Sequence, residues 1–159
     1  MIIDYIEHNG AAYHGVDAKT SRLPASVLLE GVQRQVSRLI DTAAGRARIA
    51  FVSPGSYIDR EYLLAKQDAQ AWLDNGKDAN AIPSSVSDHM ALFGVGAEAA
   101  ATEIVATAEQ WEQALATIRS ARLGGKAAVR NAETIEAAEQ AAKAAIAELN
   151  AIRPPEGSL

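Results

Sequence analysis

The chain has 159 residues, a formal charge of −5, no cysteine and only 5% aromatic residues. That length fits one domain with a modest core, and the lack of cysteine excludes disulfides and thiolate chemistry. The acidic balance argues against a general binder of phosphate backbones, which relies on many Lys and Arg contacts.

Residues 2–16 read as a β-hairpin. The segments "IIDYIEH" and "AAYHGV" flank Asn9-Gly10, a pair suited to a type I′ turn because both residues tolerate positive φ. Alternation puts Ile3 and Tyr5 on one face and Ile2 and Ile6 on the other. A lone hairpin is marginal in water, so it packs on the helices or joins another chain's sheet. The acids in "MIIDYIEHNG" stand where a signal peptide needs a basic region and an apolar run. No stretch approaches the roughly 20 apolar residues of a spanning helix. A chain that is neither secreted nor membrane-spanning is expected. "DAKTSRLP", residues 17–24, is a linker, and Pro24 suits the opening of a helix.

From Ser26 to Phe51 the residues Leu28, Val32, Val36, Leu39, Ala43 and Ala47 fall on one helical stripe. Gly45 weakens that helix locally. "SPGS" at 53–56 breaks it, with Ser56 as an N-cap and Asp59 in the following first turn. A helix over 57–74 carries Ile58, Tyr62, Ala65, Ala69 and Trp72, with Gly76 as its C′ residue. "SVSDHMALFG" holds one or two helical turns ending at Gly94. The next helix begins near Ala97 and repeats Ile104, Ala108, Trp111, Leu115, Ile118 and Arg122 until Gly124-Gly125 interrupts it. The last runs from Thr134 to Ile152, and Pro154-Pro155 ends it.

The expected fold is therefore mainly α: a bundle or long helical hairpins of about four helices, with a small N-terminal β-hairpin or extended arm. Its divisions are residues 1–24 (hairpin and linker), 25–153 (helical domain) and 154–159 (tail). Alanine buries little area, so helices this rich in it gain from partners.

The stretch "EQWEQALATIRSARLGGKAAVR", residues 109–130, contains a Gly-Gly-Lys. A phosphate loop needs a glycine where Ser120 stands and a hydroxyl where Ala127 stands, so that reading fails. Arg119, Arg122, Lys126 and Arg130 step by 3, 4 and 4, which places them on one side of a continuous helix. They form a solvated face that matches a helix C-terminus, a docking surface for an acidic partner or, least favoured, a nucleic-acid contact.

His8, His14 and Asp17 form a weak metal candidate, and His89 stands apart from them. Glu109, Glu112, Glu136 and Glu139 are carboxylates at helical spacing, better explained by solubility than by acid–base catalysis. Trp72 and Trp111 lie on apolar seams and are assigned to the core with Leu115 and Ile118; the other role for the two rings is to anchor a partner. No catalytic residue, metal or cofactor is expected.

Across residues 35–150, "RLIDTAAGRARIAFVSPG", "EYLLAKQDAQAWLDNG", "AIPSSV" and "GVGAEAAATEIVATAEQWEQALATIRSARLGGKAAVRNA" follow one another. This order resembles small tail-associated proteins of tailed bacteriophages, including those encoded beside tail-fibre genes. The 62–66 segment and the Ile118–Lys126 segment are the most characteristic; the first 25 residues are not covered. The resemblance implies a non-enzymatic protein of the virion tail, or of the host cytoplasm during assembly: a fibre or baseplate subunit, or a fibre chaperone. A fibre or baseplate protein is the implied partner and a second copy of the chain a further one, with no membrane. Arg119, Arg122, Lys126 and Arg130 are then interface candidates, and the hairpin, with Tyr5 and Tyr13, suits strand addition to a fibre's sheet edge.

Overall fold

A computed structural model describes residues 1–51 and 58–154. The chain is mainly helical, with five helices and one small antiparallel hairpin among the described residues. In order these are β1 (Ile2–His8), β2 (Ala11–Asp17), α1 (Ala25–Ile49), α2 (Ile58–Asp74), α3 (Ser84–Phe93), α4 (Ala97–Arg130) and α5 (Ile135–Ala151). The contacts divide it into two compact units: Met1–Ala50 with Ala116 onward, and Phe51–Leu115. The hairpin thus belongs with α1, and the helical stretch 25–153 is shared between the units. The proposed N-cap Ser56 and the side chain of Asp59 lie outside the described residues.

In the first unit the hairpin turns at Asn9 (φ 51°) and Gly10 (φ 75°), as a type I′ turn requires. Its buried residues are Ile3 and Ile6, not the alternating pairs expected. Strict alternation would put those two on opposite faces, so the strand turns over between them. The turnover falls at Asp4, which the register places opposite Gly15, a residue with φ 62°. The Asp4 N–H donates to Gln35 Oε1 (2.8 Å), and the Gln35 amide donates to the Ile2 carbonyl (2.9 Å). Gln35 of α1 thus serves the outer edge of β1 as a neighbouring strand would. Both isoleucines settle over Gly31, where a Cβ would lie 2.9 Å from Ile6 Cγ1 and 3.2 Å from Ile3 Cγ2.

Helix α1 buries Leu28, Val32, Val36, Ala43 and Ala47 as its periodicity predicts. Leu39 departs from the stripe: it is 46% exposed, and Ile40 is buried in its place. Arg46 and Arg48 complement the C-terminal dipole of this helix. The glycine pair does not interrupt α4, which runs unbroken from Ala97 to Arg130. At Gly125 a Cβ would sit 2.3 Å from the Ala145 Cβ, so this glycine lets α4 and α5 approach closely. The packing offsets the helix-propensity cost of about 1 kcal/mol per glycine. Ala121, Gly124 and Ala128 of α4 and Ala141, Ala145 and Glu148 of α5 line a shallow groove between the two helices. Gln33 Nε2 lies within hydrogen-bond reach of the carbonyls of Val129 (3.1 Å), Arg130 (3.3 Å) and Ala132 (3.0 Å), satisfying groups that a helix end leaves open. Thr134 caps α5, its hydroxyl accepting from the Ala137 N–H.

The second unit is built around Trp72. Ala69, Trp72, Val86, Ala100 and Ala101 form its buried cluster, with Leu73, Ile82 and Met90 packed against them. Gly76 (φ 86°) and Lys77 (φ 58°) carry the chain out of α2, and the Lys77 N–H returns to the Trp72 carbonyl. The "SVSDHMALFG" segment forms a full ten-residue helix, α3, longer than expected, closed by left-handed Gly94.

Candidate functional site

The four basic residues of α4 separate into two pairs. Arg122 Nη1 reaches Asp41 Oδ1 at 2.9 Å and Lys126 Nζ reaches Asp41 Oδ2 at 2.6 Å, which ties α4 to α1. Arg119 and Arg130 are exposed and make no ion pair with any described residue. Burial alone would raise the Asp41 carboxyl, but the hydrogen bonds from Lys126 and Arg122, with their charges, outweigh it and hold the group below its ordinary value. Half of the stripe is therefore engaged within the fold, and the surface it leaves consists of Arg119 and Arg130.

Of the four assigned core positions, Trp72 and Ile118 are buried, whereas Trp111 and Leu115 are half-buried. Trp72 Nε1 donates to the Asp78 carbonyl at 2.9 Å, so its polar edge is satisfied. The Trp111 Nε1 is shielded from solvent and has no hydrogen-bond partner among the described residues.

The titratable groups singled out by sequence stand apart. His14 packs on Tyr5, with ring centroids 5.2 Å apart, and His8 contacts the Asn9 amide at 3.1 Å. The Asp17 carboxylate accepts the Lys19 N–H, and this bond lowers its pKa. No group of three or more metal-ligating side chains forms among the described residues. Glu112 pairs with Lys66 at 2.8 Å, and Glu139 faces the N-terminal ammonium at 3.9 Å. His89 bonds Glu103 at 2.9 Å, and Lys77 pairs with Glu98. Each of these contacts stays within one unit.

Two exposed apolar features escaped the reading of spacing. On α2, Leu63 (46%) and Leu64 (50%) face outward, and at the end of α3 so do Leu92 (75%) and Phe93 (59%). The signal for the first was present, because Leu63 and Leu64 both fall off the seam that runs through Ala65, Ala69 and Trp72. On the hairpin, Tyr5 and Tyr13 are exposed, Tyr5 lying within 3.3 Å of Glu7 through its hydroxyl.

Among the described residues no single helix is long and apolar enough to cross a membrane. No family model, curated protein or solved structure matches this chain.

Proposed function

We propose that the chain is a non-enzymatic tail protein of a tailed bacteriophage, a structural or assembly module that binds a tail-fibre or baseplate protein. One observation carries the reading. One of the two most characteristic segments of the resemblance, residues 62–66, includes Leu63 and Leu64, which face outward from α2. Large apolar side chains held outward on a rigid helix suit a protein partner. The engagement of Arg122 and Lys126 by Asp41 weighs against a regulator acting through the whole 119–130 stripe. A transient fibre chaperone is the neighbouring reading, and the same test separates the two.

The test is recovery of partners by the tagged protein from infected-cell lysate and from purified particles, read by mass spectrometry. A fibre or baseplate protein in both fractions makes the chain a virion subunit; recovery from lysate alone makes it a chaperone. The double variant Leu63→Glu/Leu64→Glu is expected to abolish recovery while leaving helix content unchanged. Recovery of host proteins only would overturn the reading.

A further inference from the structure

We infer that the outer edge of β2 pairs antiparallel with β2 of a second copy of this chain, forming a two-fold, four-stranded sheet centred on Tyr13. The inference does not depend on the tail reading.

The two edges of the hairpin are not equivalent. Gln35 already bonds the outer edge of β1 at Ile2 and Asp4. Helix α1 packs against β1, while β2 is exposed from Ala11 through Gly15. The hydrogen-bonding parity of β2 follows from the turn. A two-residue type I′ turn makes His8 and Ala11 the closing hydrogen-bonded pair. Ile6–Tyr13 is then the next such pair, and Tyr5–His14 lies between wide-spaced bonds. The close Tyr5–His14 ring contact fits that assignment, since side chains approach most closely at non-hydrogen-bonded pairs. The N–H and C=O groups of Ala12 and His14 therefore point away from β1.

An edge of this kind calls for an extended strand, and β2 itself supplies the complement. Setting Ala12 opposite the second copy's His14, and His14 opposite its Ala12, satisfies both residues of both copies. It also brings Tyr13 opposite its own equivalent at the two-fold axis. Ala11–Val16 carries no Lys, Arg, Asp, Glu or Pro, so the usual edge guards are missing and two copies meet without like charges, in a chain whose net charge is −5. Gly15, at φ 62°, ends the straight part of the strand and limits the pairing to its turn-proximal half. The hairpin, marginal as two strands, gains a four-stranded sheet.

The full-length protein tests this directly. Sedimentation from micromolar to millimolar concentration is expected to show a monomer–dimer equilibrium. Hydrogen exchange is expected to show the Ala12 and His14 amides gaining protection as the dimer forms, with the Tyr13 amide protected throughout. Tyr13→Lys places like charges at the axis and should weaken the dimer about tenfold or more. His14→Pro removes an outward N–H without removing a bond to β1 and should do the same; circular dichroism confirms that the helices persist in both variants. A monomer at every concentration would overturn the inference. So would a dimer whose Ala12 and His14 amides exchange at a concentration-independent rate, or one that neither variant weakens. Protection of those amides only on addition of a tail protein would assign the edge to a foreign strand and also overturn self-pairing.

Discussion

The two units solve one problem, a core poor in aromatic residues, by opposite means. Met1–Ala50 with Ala116 onward relies on close approach. Gly31 admits two isoleucines and Gly125 admits Ala145, and α5 buries Ala138, Ala142 and Ala145 beside Leu149. Close approach multiplies weak dispersion contacts that no single residue dominates. Phe51–Leu115 relies on bulk, with Trp72 gathering alanines and Val86 around one large ring. The first strategy makes stability sensitive to added atoms, and the second makes it sensitive to removed ones. Polar anchoring reaches across the sequence in both units: Gln33, Gln35 and Asp41 bridge distant elements in the first and Lys66 pairs with Glu112 in the second, where Trp72 itself bonds a carbonyl only six positions away.

The largest effect that would test this contrast is at Trp72. Trp72→Ala is expected to cost about 3–5 kcal/mol and to be felt first in the second unit. Native-state hydrogen exchange should show α2 and α3 losing protection while α5 keeps most of its own. Equal loss in α5 would mean that the units do not respond separately. Next in size is Gly125→Ala, where the new Cβ meets Ala145; a loss of about 1–3 kcal/mol is expected in urea denaturation.

Smaller still is Asp41→Asn, expected to cost about 1 kcal/mol or less because the pair is partly solvated. Its pH dependence has a definite sign. The folded-state pKa lies below the ordinary value of 3.8, so the contribution is complete above that value and is lost as pH falls through the lowered one. Midpoints for wild type and Asp41→Asn should therefore converge in acid. The last prediction reverses sign. Gly124 has nothing within 4 Å of its Cβ position, so Gly124→Ala should stabilise by about 0.5–1 kcal/mol. Identical substitutions at adjacent positions, with opposite outcomes, would isolate the close approach from helix propensity.

Local features were legible where a single residue type meets a local geometric demand. Asn9-Gly10, Gly76 and Gly94 each mark a left-handed turn, and the seams of α1 and α2 point to Val32, Val36, Ala69 and Trp72. The misreadings share a physical cause, because each depends on a distant partner. Spacing allows either Leu39 or Ile40 after Val36, and only the neighbours of α1 select Ile40. A glycine pair reads as a break until Ala145 is known to lie against it. The burial of both Ile3 and Ile6 needs Gln35, 31 positions beyond Asp4. The stripe on α4 was visible, but Asp41, which engages half of it, lies 81 positions before Arg122. The outward leucines of α2 were detectable as residues off the seam.

The division of the chain bears on the order of events during synthesis. The Phe51–Leu115 unit is continuous, so every contact in its core is available once that stretch has left the ribosome. The other unit is interrupted by it. Helix α1 emerges early with β1 against it at Gly31, yet the rest of its apolar stripe waits for α4 and α5, and Gln33 waits 99 positions for the Ala132 carbonyl. The segment after Ala116 therefore closes the segment before Phe51, and a ribosome stopped before α5 would hold a nascent chain in which α1 still lacks that partner.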